Sequence, residues 1–420
     1  MKSLYKNIKG TKDILPKDCY NIKKIEDFIH KILQSYGYGE IRTPFFETTN
    51  LFIRGIGEST DIVSKEMYSW IDQGGYNLTL RPELTAPVIR AYNQHQLSAI
   101  SPITKLYYLS SLFRRERPQK GRQRQFSQFG VEAIGSEYPE QDAEVISIAH
   151  NVFKSLKVNN INVRINTIGS ADIREKYIQE LKKSLNKFSN DLSETDNKRL
   201  KNNALRLFDS KDPTCQKILD ENAPFIYDYI SDKDLNHFNK VLELLDSLNI
   251  PYTHDKKLVR GLDYYTNTTF EICSESLGAQ DALCGGGRYN KLVEQLGGKP
   301  TAAIGFAAGL ERLLIVLNNQ DKCQPIDIYI ILIGEKSINK GLLIAEKLRN
   351  KNLSVNVEML RRSMKSQMRD ANKLNAKFTI MLGENELDKN EIIVRNMVSR
   401  KQDKISLDDI YNFTFIKNQE

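Results

Sequence analysis

The sequence predicts an α+β chain: a strand-rich body interrupted by a helical insertion, then a separate α/β domain at the C-terminus. Three features predict it. Two strand-like runs, KLYYLSSLFRRE (105–116) and RQFSQFGVEAIG (124–135), flank a short loop containing Pro118 and Gly121, as in an antiparallel hairpin. Residues 171–250 shift to Lys, Asn, Asp and Leu at helical spacing, as in REKYIQELKKSLNKF and HFNKVLELLDSL. Beyond DKCQP (321–325), IDIYIILIG, LLIAEKLRN, VNVEML, a further helical run and FTIMLG alternate as β-α-β-α-β, the pattern of a small, mostly parallel sheet.

Taken in order, CYNIKKIEDFIHKILQSY (19–36) carries Ile22, Ile25, Ile29, Ile32, Leu33 and Tyr36 at three-and-four spacing with Gly37 as a stop, and predicts an amphipathic helix. YGEIRTPFFE (38–47) reads as a strand, placed at an edge or bulge by Pro44. In LTLRPELTAPVIRAY, Arg81 and Glu83 share one face of a strand end, and Thr85 is the expected N-cap of a helix through Ala86 and Pro87. Residues 258–317 return to strand and glycine patterns. LVRGLDYYTNTTFEI sets Arg260 ahead of Tyr264 and Tyr265, and CGGGRYNKL has three glycines that permit close backbone approach. AAIGFAAGLERLLIVL predicts a strand, a glycine joint and a helix with Leu310, Leu313, Leu314 and Leu317 inward and Arg312 in its first turn.

The bulk numbers bound the function. A chain of 420 residues with 40% apolar content exceeds what one core usually serves. Its apolar runs are short, and MKSLYKNIKGTKD lacks the apolar stretch of a secretory signal, so a cytoplasmic protein with no membrane partner is expected. A net charge of +8 favours polyanions without requiring them. Cys19, Cys215, Cys273, Cys284 and Cys323 form no CxxC pair, and no histidine lies in an HExxH or triad-like setting, so neither a disulfide framework nor a metal or Ser/His site is expected. Whatever chemistry occurs rests on Arg, Glu and tethered ligands.

The hairpin is the most informative stretch. Period two puts Leu112, Arg114 and Glu116 on one face of the first strand, and Arg124, Phe126, Gln128, Gly130 and Glu132 on one face of the second. Six cations fall between Arg114 and Arg124 with Glu116 the single acid. An exposed basic hairpin is one reading. The other is a face that holds a zwitterion joined to phosphates. In the C-terminal domain, Arg361, Lys365, Arg369, Lys373 and Lys377 recur every four residues, either a solubility face or a helical stripe for phosphates.

Assembled in order, KGTKDILP, GYGEIRTPFFE, TLRPELTAP, FRRERPQKGRQRQFSQFGVE, LVRGLDYYTNTTFE, CGGGRYNKLVEQLGG and GFAAGLERL resemble the segments of the histidyl-tRNA synthetase family, a class II aminoacyl-tRNA synthetase family. LVRGLDYY and GGGRY are the most discriminating. The resemblance implies a class II catalytic domain on an antiparallel sheet (1–170 and 251–322), a helical insertion domain (171–250) and an anticodon-binding α/β domain (326–420). It also implies ligation of L-histidine to its tRNA through histidyl-adenylate, with Mg2+ entering on ATP. By the same resemblance Glu83 and Thr85, with Leu84 in the same segment, hold the histidine ammonium together with Gln128. Glu132 and Tyr265 meet the imidazole, with Tyr264 beside them. Arg114 and Arg260 meet the α-phosphate and, with Gln128, form the catalytic set; both Arg114 and Arg260 also border the bound amino acid. Glu116, Arg122, Arg124 and Arg312 join Arg114 around ATP. Arg117 and Gln119 face the acceptor end of the tRNA, and Arg361, Lys365 and Arg369 its anticodon side. YGEIRTPFFE corresponds to the part that pairs subunits, so a homodimer is expected, and DNA is not an expected partner. Asn290 and Ser127 depart from the family pattern, where aspartate and histidine are frequent. The competing reading is the regulatory subunit of ATP phosphoribosyltransferase, a non-catalytic relative with the same catalytic-domain fold; a plain RNA-binding module leaves Glu83, Glu132 and Tyr265 unexplained.

Overall fold

The computed structural model describes residues 4–58, 60–275, 282–317 and 325–415. Cys323 and all but Pro325 of the expected linker lie outside them. The chain divides into two compact units, Met1–Asp13 with Lys24–Asn319, and Ile14–Lys23 with Gln320–Glu420. No helix among the described residues is long and apolar enough to cross a membrane.

In chain order the first unit's strands are β1 (Gly39–Glu40), β2 (Phe46–Thr48), β3 (Tyr68–Ile71), β4 (Asn77–Leu80), β5 (Thr104–Phe113), β6 (Gln125–Ile134), β7 (Ile161–Thr167), β8 (Tyr252–His254), β9 (Thr266–Ser274), β10 (Ala282–Arg288) and β11 (Ala303–Gly309). They form a large sheet in the order β1-β5-β6-β11-β10-β9-β7-β8 and a small one in the order β2-β4-β3. The large sheet is antiparallel from β5 to β7; the outermost pairs, β1 with β5 and β7 with β8, are parallel. The expected hairpin is β5 and β6, with Tyr108 opposite Gly130, Ser110 opposite Gln128 and Leu112 opposite Phe126.

The run YGEIRTPFFE does not form one strand. Its first half supplies β1 at the edge of the large sheet and its second half supplies β2 in the small one, with Pro44 between them. A proline has no N–H to donate to a ladder, so the break falls where the chain changes sheets. The helix Pro16–Ser35 ends before Gly37, whose φ of +78° a side-chain-bearing residue would resist. Its Ile25, Ile29 and Leu33 are buried at successive i+4 positions.

Residues 171–247 form the helices Ala171–Leu185, Glu194–Asn202, Pro213–Asn222 and Asp232–Ser247. Three begin with a side-chain cap: Ser193 accepts from the Asp196 N–H, Asp212 from Thr214 and Cys215, and Ser231 from Asp234. Their buried Tyr177, Leu181, Leu185 and Leu219 share one apolar cluster with Tyr264, Tyr265 and Tyr289. The insertion therefore backs the tyrosines that line the site described below.

The second unit contains β12 (Ile328–Ile333), β13 (Val355–Val357), β14 (Phe378–Gly383), β15 (Glu391–Asn396) and β16 (Gln402–Ser406) in the order β13-β12-β14-β15-β16. The first three are parallel, as the alternation predicts, with helices Ser337–Arg349 and Met364–Lys373 as crossovers. β15 and β16 extend the sheet antiparallel. β16 escapes sequence reading because QDKIS is polar and mostly exposed, the usual dress of an edge strand. The five-cation stripe is shorter than expected. Lys365, Arg369 and Lys373 lie exposed on the helix Met364–Lys373. Arg361 precedes that helix at a φ of +52° and pairs with Glu335 at 3.3 Å, and Lys377 follows it, paired with Asp327 at 3.1 Å.

Candidate active site

Past the end of β5 the ladder runs on, because the Arg114 N–H donates to the Arg124 carbonyl at 2.9 Å. Further out, Gln119 and Arg122 exchange backbone bonds of 3.1 and 2.9 Å around Lys120 and Gly121, closing a two-residue turn in which Gly121 has a φ of +76°. Gly10 seats this loop. A Cβ there would lie 2.7 Å from Pro118 and 2.8 Å from Arg124, at a φ of +91°, and its carbonyl accepts from the Arg124 N–H at 2.7 Å. The loop thus brings Arg114, Glu116, Gly121 and Arg122 to the wall of a cavity of about 470 Å³.

On that wall the Arg114 guanidinium donates through Nε to the Pro82 carbonyl at 2.9 Å and lies 5.2 Å over the Phe126 ring. Arg122 pairs with Glu116 at 3.4 Å. Arg312, the third residue of the helix Leu310–Leu317, donates to the Ala282 carbonyl at 2.6 Å. Burial, and then the nearby Arg122 charge, depress its pKa. Glu311 beside it accepts from the Ser127 N–H at 2.8 Å and ties the helix to β6.

Arg260 comes from the irregular stretch before β9. It forms an ion pair with Glu271, and its guanidinium lies 5.9 Å over the Tyr265 ring. Burial pulls its pKa down, but Glu271 and then Tyr265 outweigh burial and the net shift is upward, so the cation is held in its charged form. Arg114, Arg122, Arg260 and Arg312 all line the one cavity. Four guanidinium groups from three distant stretches of chain thus converge on it.

The other part of the wall is acidic and phenolic. Glu83 is buried, and its carboxylate accepts from the backbone N–H groups of Thr85 (2.7 Å) and Ala86 (2.9 Å). The helix runs Thr85–Gln94 with Leu84 at the capping position, so Thr85 is its first residue and not its N-cap. Glu83 does the capping from one residue upstream, because its longer side chain reaches the free N–H groups that leucine cannot satisfy. The Thr85 hydroxyl is thereby released to donate to Glu132 at 2.8 Å. Tyr264 and Tyr265 pack with ring centroids 4.7 Å apart and planes tilted by 48° and, with Tyr108, Gln128 and Tyr289, complete the wall.

Glu132 does not itself line the cavity. It is 1% exposed and accepts from Thr85, from Tyr108 at 3.2 Å and from Tyr289. Gly305 on β11 makes room for it, since a Cβ there would come within 1.8 Å of a Glu132 oxygen. Burial pushes its pKa up to about 8, against the hydroxyl bonds that lower it. Its influence on the cavity passes through Thr85, Tyr108 and Tyr289.

Other expected site residues stand elsewhere. Arg124 has its Nε 3.5 Å from the Glu116 carbonyl and is spent on the loop's own fold. Arg117 and Gln119 lie exposed on the loop. Arg81 is buried and donates to the carbonyls of Thr43 (2.6 Å), Pro44 (3.2 Å) and Ser111 (3.1 Å), a structural anchor outside the cavity. Arg288 of GGGRY forms a buried ion pair with Asp142 and donates to the Ser136 and Tyr138 carbonyls. The Asn290 amide oxygen accepts from the Ala303 N–H at 3.3 Å, a task asparagine and aspartate perform equally. Sequence reasoning passed over Tyr108, Tyr289 and Glu271. Tyr108 shares the parity of Leu112 on β5, while Tyr289 and Glu271 sit inside motifs read for other residues. Asp61 and Arg206, paired at the cavity wall, carry no sequence signal at all.

Residues 10–313 match the family model described as histidyl-tRNA synthetase, and residues 327–418 match that of an anticodon binding domain. The chain is 43% identical over 411 residues to a histidine–tRNA ligase of Caldanaerobacter subterraneus subsp. tengcongensis, covering 97% of this chain and 98% of that one. It is 46% identical over 403 residues to that of Halothermothrix orenii, covering 95% and 96%. The structure resembles the crystal structure of apo S. aureus histidyl-tRNA synthetase with a TM-score of 0.82, at 36% identity, over 97% of this chain and 99% of that one. Basic, acidic and phenolic groups lining one cavity, carried on a chain that matches these relatives over nearly its whole length, make this protein a member of the histidyl-tRNA synthetase family.

Proposed function

We propose that this chain is a histidine–tRNA ligase: it activates L-histidine with ATP to histidyl-adenylate and pyrophosphate, then transfers histidine to the 3′ end of its tRNA. The observation that carries the reading is the single cavity lined by Arg114, Arg122, Arg260 and Arg312 together with Glu83, Tyr264 and Tyr265. The histidine carboxylate attacks the α-phosphorus, the bond to the β-phosphoryl oxygen breaks, and negative charge builds on the α-phosphoryl oxygens. Arg114 and Arg260 meet that charge already oriented, so little reorganisation is needed at the moment of reaction. Gln128 and Glu83 receive the ammonium; each Glu83 oxygen accepts one backbone N–H and keeps a lone pair for it. Tyr265 meets one imidazole nitrogen, and Glu132 polarises the pocket through Tyr108 and Tyr289. A ring lacking those nitrogens would leave buried groups unpaired, a basis for discrimination by about ten-thousandfold.

Arg312, Glu116 and Arg122 surround the nucleotide. Mg2+ enters on the ATP phosphates as part of the substrate. Arg117 and Gln119 on the loop face the acceptor end, and residues 326–420 read the anticodon side through Arg361, Lys365 and Arg369. The second copy of a homodimer covers the apolar residues exposed around the small sheet, Phe45, Phe46, Trp70 and Ile71, and the cytoplasm is the compartment where these substrates meet. The anticodon-binding segment and the retained arginines argue against the regulatory-subunit reading.

Histidine-dependent ATP–pyrophosphate exchange tests the assignment. Exchange driven by histidine, and reduced about a hundred- to a thousandfold by Arg260→Ala, is expected. Exchange driven better by another amino acid, or by none, overturns it.

A further inference from the structure

Glu271 lies directly opposite Gly285 across the β9/β10 ladder. Directly opposite residues project from the same face of an antiparallel pair. Phe270 and Ile272 on either side are fully buried on the other face, which leaves the Glu271 carboxylate on the cavity wall. Because its cross-strand partner has no side chain, the pair encloses a slot, and the Arg260 guanidinium fills it. A Cβ at Gly285 would lie 2.1 Å from Arg260 Nη2, 2.3 Å from Cζ and 2.5 Å from Nη1.

Arg260 needs such a slot. It sits in a stretch outside any strand or helix, and an unrestrained arginine side chain samples many rotamers. Its Nη1 is held by Glu271, while its Nε is buried with no acceptor among the described residues. The side chains are 20% and 19% exposed, so this is not a solvated surface pair. One edge of the guanidinium is thus fixed.

We propose that Glu271 is a positioning residue for adenylate formation: it clamps Arg260 over the bare backbone of Gly285, so that the guanidinium is aimed at the α-phosphoryl group before ATP arrives. The proposal rests on the ligase reading above. Glu271 touches no reacting atom. It acts through Arg260, and its loss should slow the chemical step more than it weakens binding.

The experiment measures histidine-dependent ATP–pyrophosphate exchange in the full chain, with single-turnover adenylate formation for the slow variants. Glu271→Ala should lower kcat about ten- to a hundredfold, the scale of a misplaced catalytic group, with the KM for histidine held within about twofold. Glu271→Gln keeps an acceptor for Nη1 and should lose less. Gly285→Ala, which pushes the guanidinium out of its slot without altering any charge, should reproduce the kcat loss. In the Arg260→Ala background Glu271→Ala should cost no more than about twofold further, because nothing remains to be positioned. Absence of histidine-dependent exchange in the unmodified protein would sink the ligase reading itself. With that exchange present, the clamp is overturned by an unchanged kcat in Glu271→Ala, by a raised KM alone, or by full multiplication of the two losses in the double variant.

Discussion

At the scale of single residues, the site is built by burying groups that water would otherwise satisfy, and Glu132 shows the consequence. An unfolded glutamate titrates at about 4.3, whereas burial pushes the folded Glu132 up to about 8. The folded pKa is raised, so the stability contributed by the buried neutral acid is present below about 4.3 and lost as the pH climbs towards about 8. Glu132→Gln, which cannot ionise, should therefore gain on the wild type as pH rises. The gap between their unfolding free energies should open by an order of a few kcal/mol between pH 5 and pH 8.5, at about 1.4 kcal/mol per pKa unit. Parallel urea-melt stabilities across that range would refute the assignment. Arg114 offers a kinetic counterpart: Arg114→Ala should cut exchange about a hundred- to a thousandfold, as loss of one oriented donor does elsewhere, and a loss under tenfold would remove it from the reacting centre. The residue types at these positions were legible because period two and motif spacing place them on one face. Their depth was not. Nothing in FGVE says that Glu132 lies behind Tyr108 and Tyr289, since that depends on Gly305 arriving from another strand.

At the scale of elements, sequence periodicity worked where one strand or helix buries one face, and faltered where an element's end is decided by a neighbour. The β5/β6 hairpin and the helices of residues 171–247 follow their patterns closely. The break within YGEIRTPFFE and the shift of the helix cap from Thr85 to Glu83 do not, because one depends on two sheets competing for the chain and the other on a side chain reaching past its neighbour. The loop of residues 114–124 is a third such case. Its conformation hangs on Gly10, more than a hundred residues upstream, which provides both a backbone acceptor and an empty space under Pro118 and Arg124. Gly10→Ala should cost about 1–3 kcal/mol through positive-φ strain and collision. The loop should register it first, as faster tryptic cleavage at Lys120 and a raised KM for ATP. Wild-type cleavage and KM in that variant would show that the loop holds itself.

At the scale of the whole molecule, charge is divided between two tasks. In the first unit the cations at the cavity, Arg114, Arg122, Arg260 and Arg312, each touch an acid, a carbonyl or a ring, and they line a cavity of a size suited to a nucleotide. On the helix Met364–Lys373 of the second unit, Lys365 and Arg369 are exposed, which suits a long polyanion that slides past water more than a small ligand that must be gripped. The two kinds of site respond differently to salt. Enclosed guanidinium groups are shielded from mobile ions, whereas each exposed phosphate contact releases counterions and adds about one unit to the salt slope of binding. Replacing both Lys365 and Arg369 by alanine should therefore raise the KM for tRNA about tenfold near physiological salt and flatten its dependence on salt by about two units. ATP–pyrophosphate exchange, which needs no tRNA, should stay at the wild-type rate. If exchange falls together with aminoacylation, the second unit is required for the active site itself. If neither changes, tRNA is held by another surface, and the stripe is only a solubility face.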